Sequence, residues 1–527
     1  MNRVSKAAGI LLLAISVLTA CSSGNSTPQQ SSPNNGQGGE SSASPTKFSI
    51  ALKTENFKYV LSSADINKDK WVKELESRTN TDLDLILLPQ AEYQQKLSLI
   101  FAGNDIPDVL QGFVPSSDVM RAAVEAGTFM PLNELLQQHA PHLLKEIPQD
   151  VWERVTIDGN IYAIPKWISN TNRRVTFVRS DLLEATGLAT PQTVEEFLDV
   201  LRAFKNNGVE IPFGARESFN YSDMFFNAYN VNPFSFKIMD GEVVPAFFDT
   251  ENMMKAIQVY KTMYDEGLMA KDFATKTGPA FEKDRDSGKI GIWNHNLNLV
   301  ETFRQRLSAS VPEGVIDPIG APMGPDGDKG YKQYDPALRM YYLNSKLDEA
   351  KAAEIVKFFD WMVTEEAELF FSLGIEGETY EVKDGKNVYN VPVTEEDTLL
   401  EQYRSVFLWM VQDETYNKLI LEQTESGQGV IDAFNNILGS EGLTHIEFAP
   451  ELESFRKFPD LVVNGLLPAK FIEESILKMI LGKQPIAEFP KVIEEWKAKG
   501  GQEILKEANE RYKANDGVFE VKPPHLK

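Results

Sequence analysis

Asp158-Gly159-Asn160-Ile161-Tyr162-Ala163-Ile164-Pro165-Lys166-Trp167 decides the fold of this 527-residue chain. Asp-Gly marks a turn, and the apolar residues after it read as a strand. Pro165 has no N–H to give a ladder, so the strand is expected to stop there. A polar run follows Trp167, from Ser169 to Arg174, and then a second strand, Val175–Val178. A hairpin and loop inside one α/β domain would look the same. The reading adopted is a first crossing between two lobes, with the ligand cleft at the crossing.

Working outward, the N-terminal side alternates strand and helix. Lys47–Lys53 and Leu83–Pro89 read as strands. Asp69–Arg78 and Glu92–Ala102 read as amphipathic helices, and Val109–Gly112 as a short buried strand. That alternation points to a parallel sheet in an α/β layer, where ligands collect beyond the carboxyl ends of strands. On the C-terminal side, Thr193 and Glu196 form a capping-box pair at a helix start. Lys289–Trp293 reads as a strand leading into Asn294-His295-Asn296. Arg339–Leu343 reads as the return strand, and Asp348–Glu368 as a long amphipathic helix. The end of the chain, Asp516–Lys527, is expected to be a loose tail.

A chain this long exceeds one ordinary core, so at least two domains are expected. The formal charge of −24 comes with no basic stripe, which argues against a nucleic-acid partner. Arg3 and Lys6 precede an apolar run, Ala7–Thr19, that is too short to span a bilayer. Leu18-Thr19-Ala20-Cys21 then resembles the lipobox of bacterial lipoproteins, with cleavage before Cys21 and acylation of its thiol. Cys21 is the only cysteine, so the chain has no thiol left for a disulfide or thiolate chemistry. Ser22–Thr46 carries no aromatic or branched aliphatic residue and cannot bury a core. It reads as a flexible tether with an r.m.s. reach of about 28 Å.

The chain resembles family 1 extracellular solute-binding proteins, the sugar-binding lipoproteins of ABC importers, and within them the long subgroup associated with oligosaccharides. The resemblance rests on Ile106-Pro107-Asp108-Val109, Asp158–Pro165, Phe177–Leu183 with Gly187-Leu188, and Pro191–Phe197. It continues through Ser287–Gly291, Gly324–Gly327, Gly374-Ile375-Glu376-Gly377 with Tyr380, and finally Gly500-Gly501 and Asn509–Tyr512. It implies a two-lobed α/β fold of the type II periplasmic-binding-protein kind, with three crossing segments and a cleft between the lobes. The expected organisation is a signal peptide at 1–20 and the lipidated cysteine and tether at 21–46. Lobe one takes 47–168 and 336–382; lobe two takes 169–335 and 383–527. The resemblance also implies a monomeric, non-enzymatic receptor that faces the extracytoplasmic side of the membrane, holds an oligosaccharide and meets an ABC permease. No cofactor or metal is called for.

Sugar recognition needs an aromatic face for the C–H side of a pyranose and planar polar groups for paired hydroxyls. Trp167 with Asn170 and Arg173 fits, as does Trp293 with Asn294, His295 and Asn296. Phe219, Tyr221, Gln111, Asn56 and Glu376 complete the candidate set. Glu376 and Glu378 do not read as a glycosidase pair, since nothing places them either side of a scissile bond. Ala140-Pro141 keeps His139 and His142 off a shared helical face. Asp326–Gly330 lacks the spaced ligands of a calcium loop. A receptor for a peptide or polyamine is the alternative, and an envelope enzyme acting on glycans a remote one.

Overall fold

The computed structural model describes residues 44–412, 417–424, 427–463 and 469–523. The signal segment, Cys21 and the tether up to residue 43 lie outside these residues, as do the last four residues of the expected tail.

Nine strands build two central sheets. They are β1 (Thr46–Lys53), β2 (Thr81–Leu88), β3 (Val109–Gly112), β4 (Ile164–Trp167), β5 (Arg174–Arg179), β6 (Ile211–Phe213), β7 (Ile290–Asn296), β8 (Ile316–Ile319) and β9 (Ala337–Leu343). The first sheet runs β2-β1-β3-β9-β4, and the second β8-β5-β7-β6. Each sheet has its own core. The first gathers Phe48, Trp71, Tyr341 and Phe359; the second gathers Phe197, Phe225, Tyr260 and Trp496. Helices cover both faces of the sheets, which is why their strands read as near-continuous apolar runs. The second lobe also carries an antiparallel sheet in which Phe236–Met239 lies between Glu242–Pro245 and His445–Phe448.

Local signals explain the elements that pin these sheets. Asp348 caps the helix Glu349–Trp361, which packs Phe358 edge-on against Phe48 at 5.3 Å. At Thr193 the capping box forms in both directions, with the Thr193 hydroxyl accepting from the Glu196 N–H and the Glu196 carboxylate accepting from the Thr193 N–H. Proline sits inside β4, β6 and β8, yet all three are edge strands, where a missing N–H costs no ladder bond. Pro165 therefore does not end its strand: it pairs with Met340, and β4 continues to Trp167.

The chain passes from the first sheet to the second between β4 and β5. Residues between β4 and β5 form the first strap, and those just before β9 form the second. The straps are zipped together by Ile168 N–H to Pro336 O at 3.0 Å and Tyr334 N–H to Thr171 O at 2.8 Å. The third crossing lies further on than residue 383. Tyr403, Leu408, Met410 and Val411 still belong to the first core, with Tyr403 stacked on Tyr59 at 4.6 Å and Trp409 on Phe371 at 5.3 Å. Val430, Ala433 and Leu438 pack in the second lobe, so we place the third crossing after Val411. The expected tail is not loose either. Val518–Val521 alternates apolar and polar and adds an antiparallel strand to His445–Phe448.

Candidate functional site

The strand ends define two facing edges. In the first sheet β1 and β3 run parallel, and β9 opposes β3 with Met340 beside Gly112. The carboxyl ends of β1, β3 and β4 therefore share the edge from which the straps leave. In the second sheet β5 starts at that side with Arg174, opposite Asn296 at the end of β7. Strand β6 runs parallel to β7 and delivers Gly214-Ala215-Arg216 to the same edge. Carboxyl ends of sheets meeting at a crossing are where α/β folds put ligands.

At the second-lobe edge, aromatic and cationic side chains interlock. Tyr221 stacks on His295 with ring centroids 4.0 Å apart and planes 5° from parallel. The guanidiniums of Arg174 and Arg216 lie 4.7 and 5.4 Å from the Tyr221 ring centre. Arg173 lies 5.3 Å from the ring of Tyr334, which donates its hydroxyl to Asn296 Oδ1 at 3.2 Å. Beneath them Asp223, with no solvent exposure, accepts from Arg174 Nη1 at 2.8 Å and from Asn294, Asn232 and Asn227 at 3.1–3.3 Å.

Electrostatics follow the geometry. Burial works against the charge of Arg174, but Asp223 and the hydroxyls of Tyr334 and Tyr221 outweigh it, and its pKa stands above the usual arginine range. Burial, with the charges of Arg285, Arg174 and Arg216, drives His295 down to about 3, so it stacks as a neutral ring.

The loop that presents Tyr221 is strained. Ser218, Phe219 and Tyr221 all adopt left-handed φ, at 56°, 54° and 53°. Three such non-glycine residues within four positions are costly, and strain of this kind gathers at functional sites. Phe219 anchors the loop, its ring held by Phe226, Tyr260 and Phe273 at 5.2–6.1 Å.

The candidate residues thus separate. Arg173, Tyr221 and Asn296 converge at the second-lobe edge. Trp167 and Asn56 sit at the first-lobe edge, half-buried and exposed respectively. Gln111 is also there but 5% exposed and engaged, accepting from the Lys53 N–H at 2.7 Å and donating to the Tyr341 hydroxyl at 3.2 Å. Four are corrected to buried structural positions. Trp293 is 1% exposed because β7 runs three residues beyond it, leaving the indole stacked on Phe177 at 5.7 Å rather than at a strand end. Asn294 points to the opposite face and serves Asp223. Phe219 is core, as described. Asn170 is buried in the first strap, where its side chain accepts from the Asn172 N–H at 2.9 Å. Glu376 is exposed in a turn leading to the hairpin Tyr380–Tyr389, whose tyrosines pack with Leu373. The residues missed are Arg174, Arg216 and Tyr334. A Gly-Ala-Arg sequence directly after a short strand was the available signal for Arg216.

Two sheets joined by thin straps, with polar and aromatic side chains gathered where their strand ends meet, define a two-lobed solute receptor of type II. The profile described as "Bacterial extracellular solute-binding protein" matches residues 64–369. The chain belongs to that family. It is 24% identical over 477 residues to lipoprotein LipO of Bacillus subtilis, covering 85% of this chain and 90% of that one. It is 25% identical over 464 residues to the polygalacturonan/rhamnogalacturonan-binding protein YtcQ of the same organism, covering 85% and 88%. Among solved structures, alginate-binding protein AlgQ2 superposes with a TM-score of 0.63 at 21% identity, covering 89% of this chain and 98% of that one. FusA of S. pneumoniae in complex with kestose superposes at 0.61 and 17% identity, covering 89% and 100%.

Proposed function

We propose that this chain is a lipid-anchored, monomeric, non-enzymatic receptor that closes its two lobes on an oligosaccharide and hands it to an ABC permease. The observation that carries this reading is the meeting of tyrosines and planar polar groups, Tyr221, Tyr334, Asn296 and Arg173, at the strand ends beside the straps. The tyrosine hydroxyls, the amide and the guanidinium suit paired sugar hydroxyls. The names of YtcQ and FusA, which describe saccharide-binding proteins, support the same class of ligand. A ligand touching both edges bonds fully only in the closed form, so binding shifts the open–closed equilibrium.

Calorimetry of the mature chain against a panel of oligosaccharides tests the reading. Binding to at least one is expected, and Tyr221→Ala is expected to weaken it by about 1–3 kcal/mol. A chain that binds peptides or polyamines and no saccharide overturns the proposal. Anchoring through Cys21 predicts that protein from the membrane fraction begins at Cys21 and carries a diacylglyceryl group on its thiol, read by mass spectrometry. An unacylated Cys21 in that fraction would refute the anchor.

A further inference from the structure

Two guanidiniums stand close together at the second-lobe edge. Arg174 and Arg216 meet there, and Asp223 lies beneath them, taken up by Arg174 and three asparagines. A guanidinium has five N–H donors and no acceptor. Asn296 Oδ1, an acceptor at the same edge, is engaged by the Tyr334 hydroxyl. A neutral sugar hydroxyl donates as well as accepts, and a guanidinium can answer only its oxygen. A carboxylate only accepts, and its two oxygens match the guanidinium fork.

Arg216 is the sharpest case. Its Nε donates to the Asn220 carbonyl at 3.1 Å, and among the described residues no carboxylate lies within ion-pair distance and no acceptor meets Nη1 or Nη2. Its guanidinium lies between the rings of Tyr221 and Phe281, at 5.4 and 5.8 Å from their centres. A side chain at Gly278 would start 2.6 Å from Nη1, so glycine there leaves the group its place. Burial pulls its pKa below the usual arginine value, while Tyr221, Glu282 and Glu217 favour the charge and the neighbouring Arg174 opposes it. The positive field recurs at His295, lowered by burial and three arginines. All this occurs in a chain of net charge −24, which would otherwise repel an anion. At the first-lobe edge, by contrast, Arg339 is paired with Glu55.

We infer that the oligosaccharide is acidic, a uronate-containing chain whose carboxylate is gripped by Arg216 and Arg174. The inference rests on the receptor reading above and narrows its ligand. The strained loop Ser218–Tyr221 then has a purpose: it fixes the Tyr221 ring against both guanidiniums, so that the charges are held in place before the ligand arrives.

Titration calorimetry of the mature chain decides it. The probes are oligogalacturonate, oligomannuronate and oligoglucuronate, each beside its carboxyl-reduced neutral counterpart of the same length and linkage. At least one uronate is expected to bind 100-fold or more tighter than its neutral counterpart, with affinity falling as salt rises. Arg216→Gln is expected to cut that preference at least tenfold, and Arg216→Lys, which keeps the charge without the fork, to restore part of it. Equal or tighter binding of neutral saccharides overturns the acidic ligand and leaves the receptor standing. Tight binding of only sulfated or phosphorylated saccharides overturns the carboxylate assignment. No binding to any saccharide removes the receptor reading itself.

Discussion

Asp223→Ala is expected to lower the stability of the second lobe by about 3–5 kcal/mol, the usual result of stripping one partner from a buried ion pair. The carboxylate is fully buried and holds four donors at once: the Arg174 guanidinium at 2.8 Å and the amides of Asn227, Asn232 and Asn294. Removing it leaves a buried cation and the amides of Asn227 and Asn294 without their acceptor, and Asn232 with only Asn227 Oδ1 to bond; alanine supplies nothing in return. The damage reaches the site as well, because Arg174 is held to Asp223 on one side and faces the Tyr221 ring on the other. Asp223→Asn keeps the shape and loses the charge, so an intermediate loss is expected. Denaturant titration of both variants checks the order. A change below about 1 kcal/mol for Asp223→Ala would mean that the pair is solvated and the network is not the floor of the site.

The architecture was legible from residues with one job each. Asp158-Gly159 turned the chain, the polar run after Trp167 marked the strap, and Thr193 with Glu196 capped a helix; each signal is local, so the fold could not hide it. Trp293 misled for the opposite reason. A tryptophan before Asn-His-Asn looks like a strand end, but strand length is set by its neighbours. Strand β5 pairs with β7 as far as Asn296, which pulls the indole three residues inside. Phe219 misled in the same way: its left-handed backbone turns the ring inward to Tyr260, and no sequence pattern announces a left-handed phenylalanine. Arg174 and Arg216, unlike Arg173, escape a reading that takes charge as a total. A sum of −24 hides a pair, residues 174 and 216, which only the sheet edge brings together. The third crossing was placed early because Tyr403–Val411 joins the first core only after a detour through a hairpin and the helix Glu395–Gln402.

Trp293→Ala separates a core role from a ligand role. The indole is 1% exposed, stacked on Phe177 at 5.7 Å and edge-on to Phe303 at 6.4 Å. Truncating a buried aromatic of this size costs about 3–5 kcal/mol through lost burial and the cavity left behind. For a lobe of this size that lowers the thermal midpoint by on the order of 10 °C. Trp293→Phe keeps most of the stack with Phe177 and is expected to lose less than half as much. The indole Nε1 has no hydrogen-bond partner, so phenylalanine removes no bond at that position. Saccharide affinity, measured well below the transition where both variants are folded, is expected to stay within about twofold of the parent, a difference of roughly 0.4 kcal/mol. A tenfold loss of affinity with an unchanged melting temperature would put the indole against the sugar and β7 in a different register from the one described. The same pair of measurements on Tyr221→Ala should give the reverse pattern, since that ring stands at the edge of the sheet and not within it.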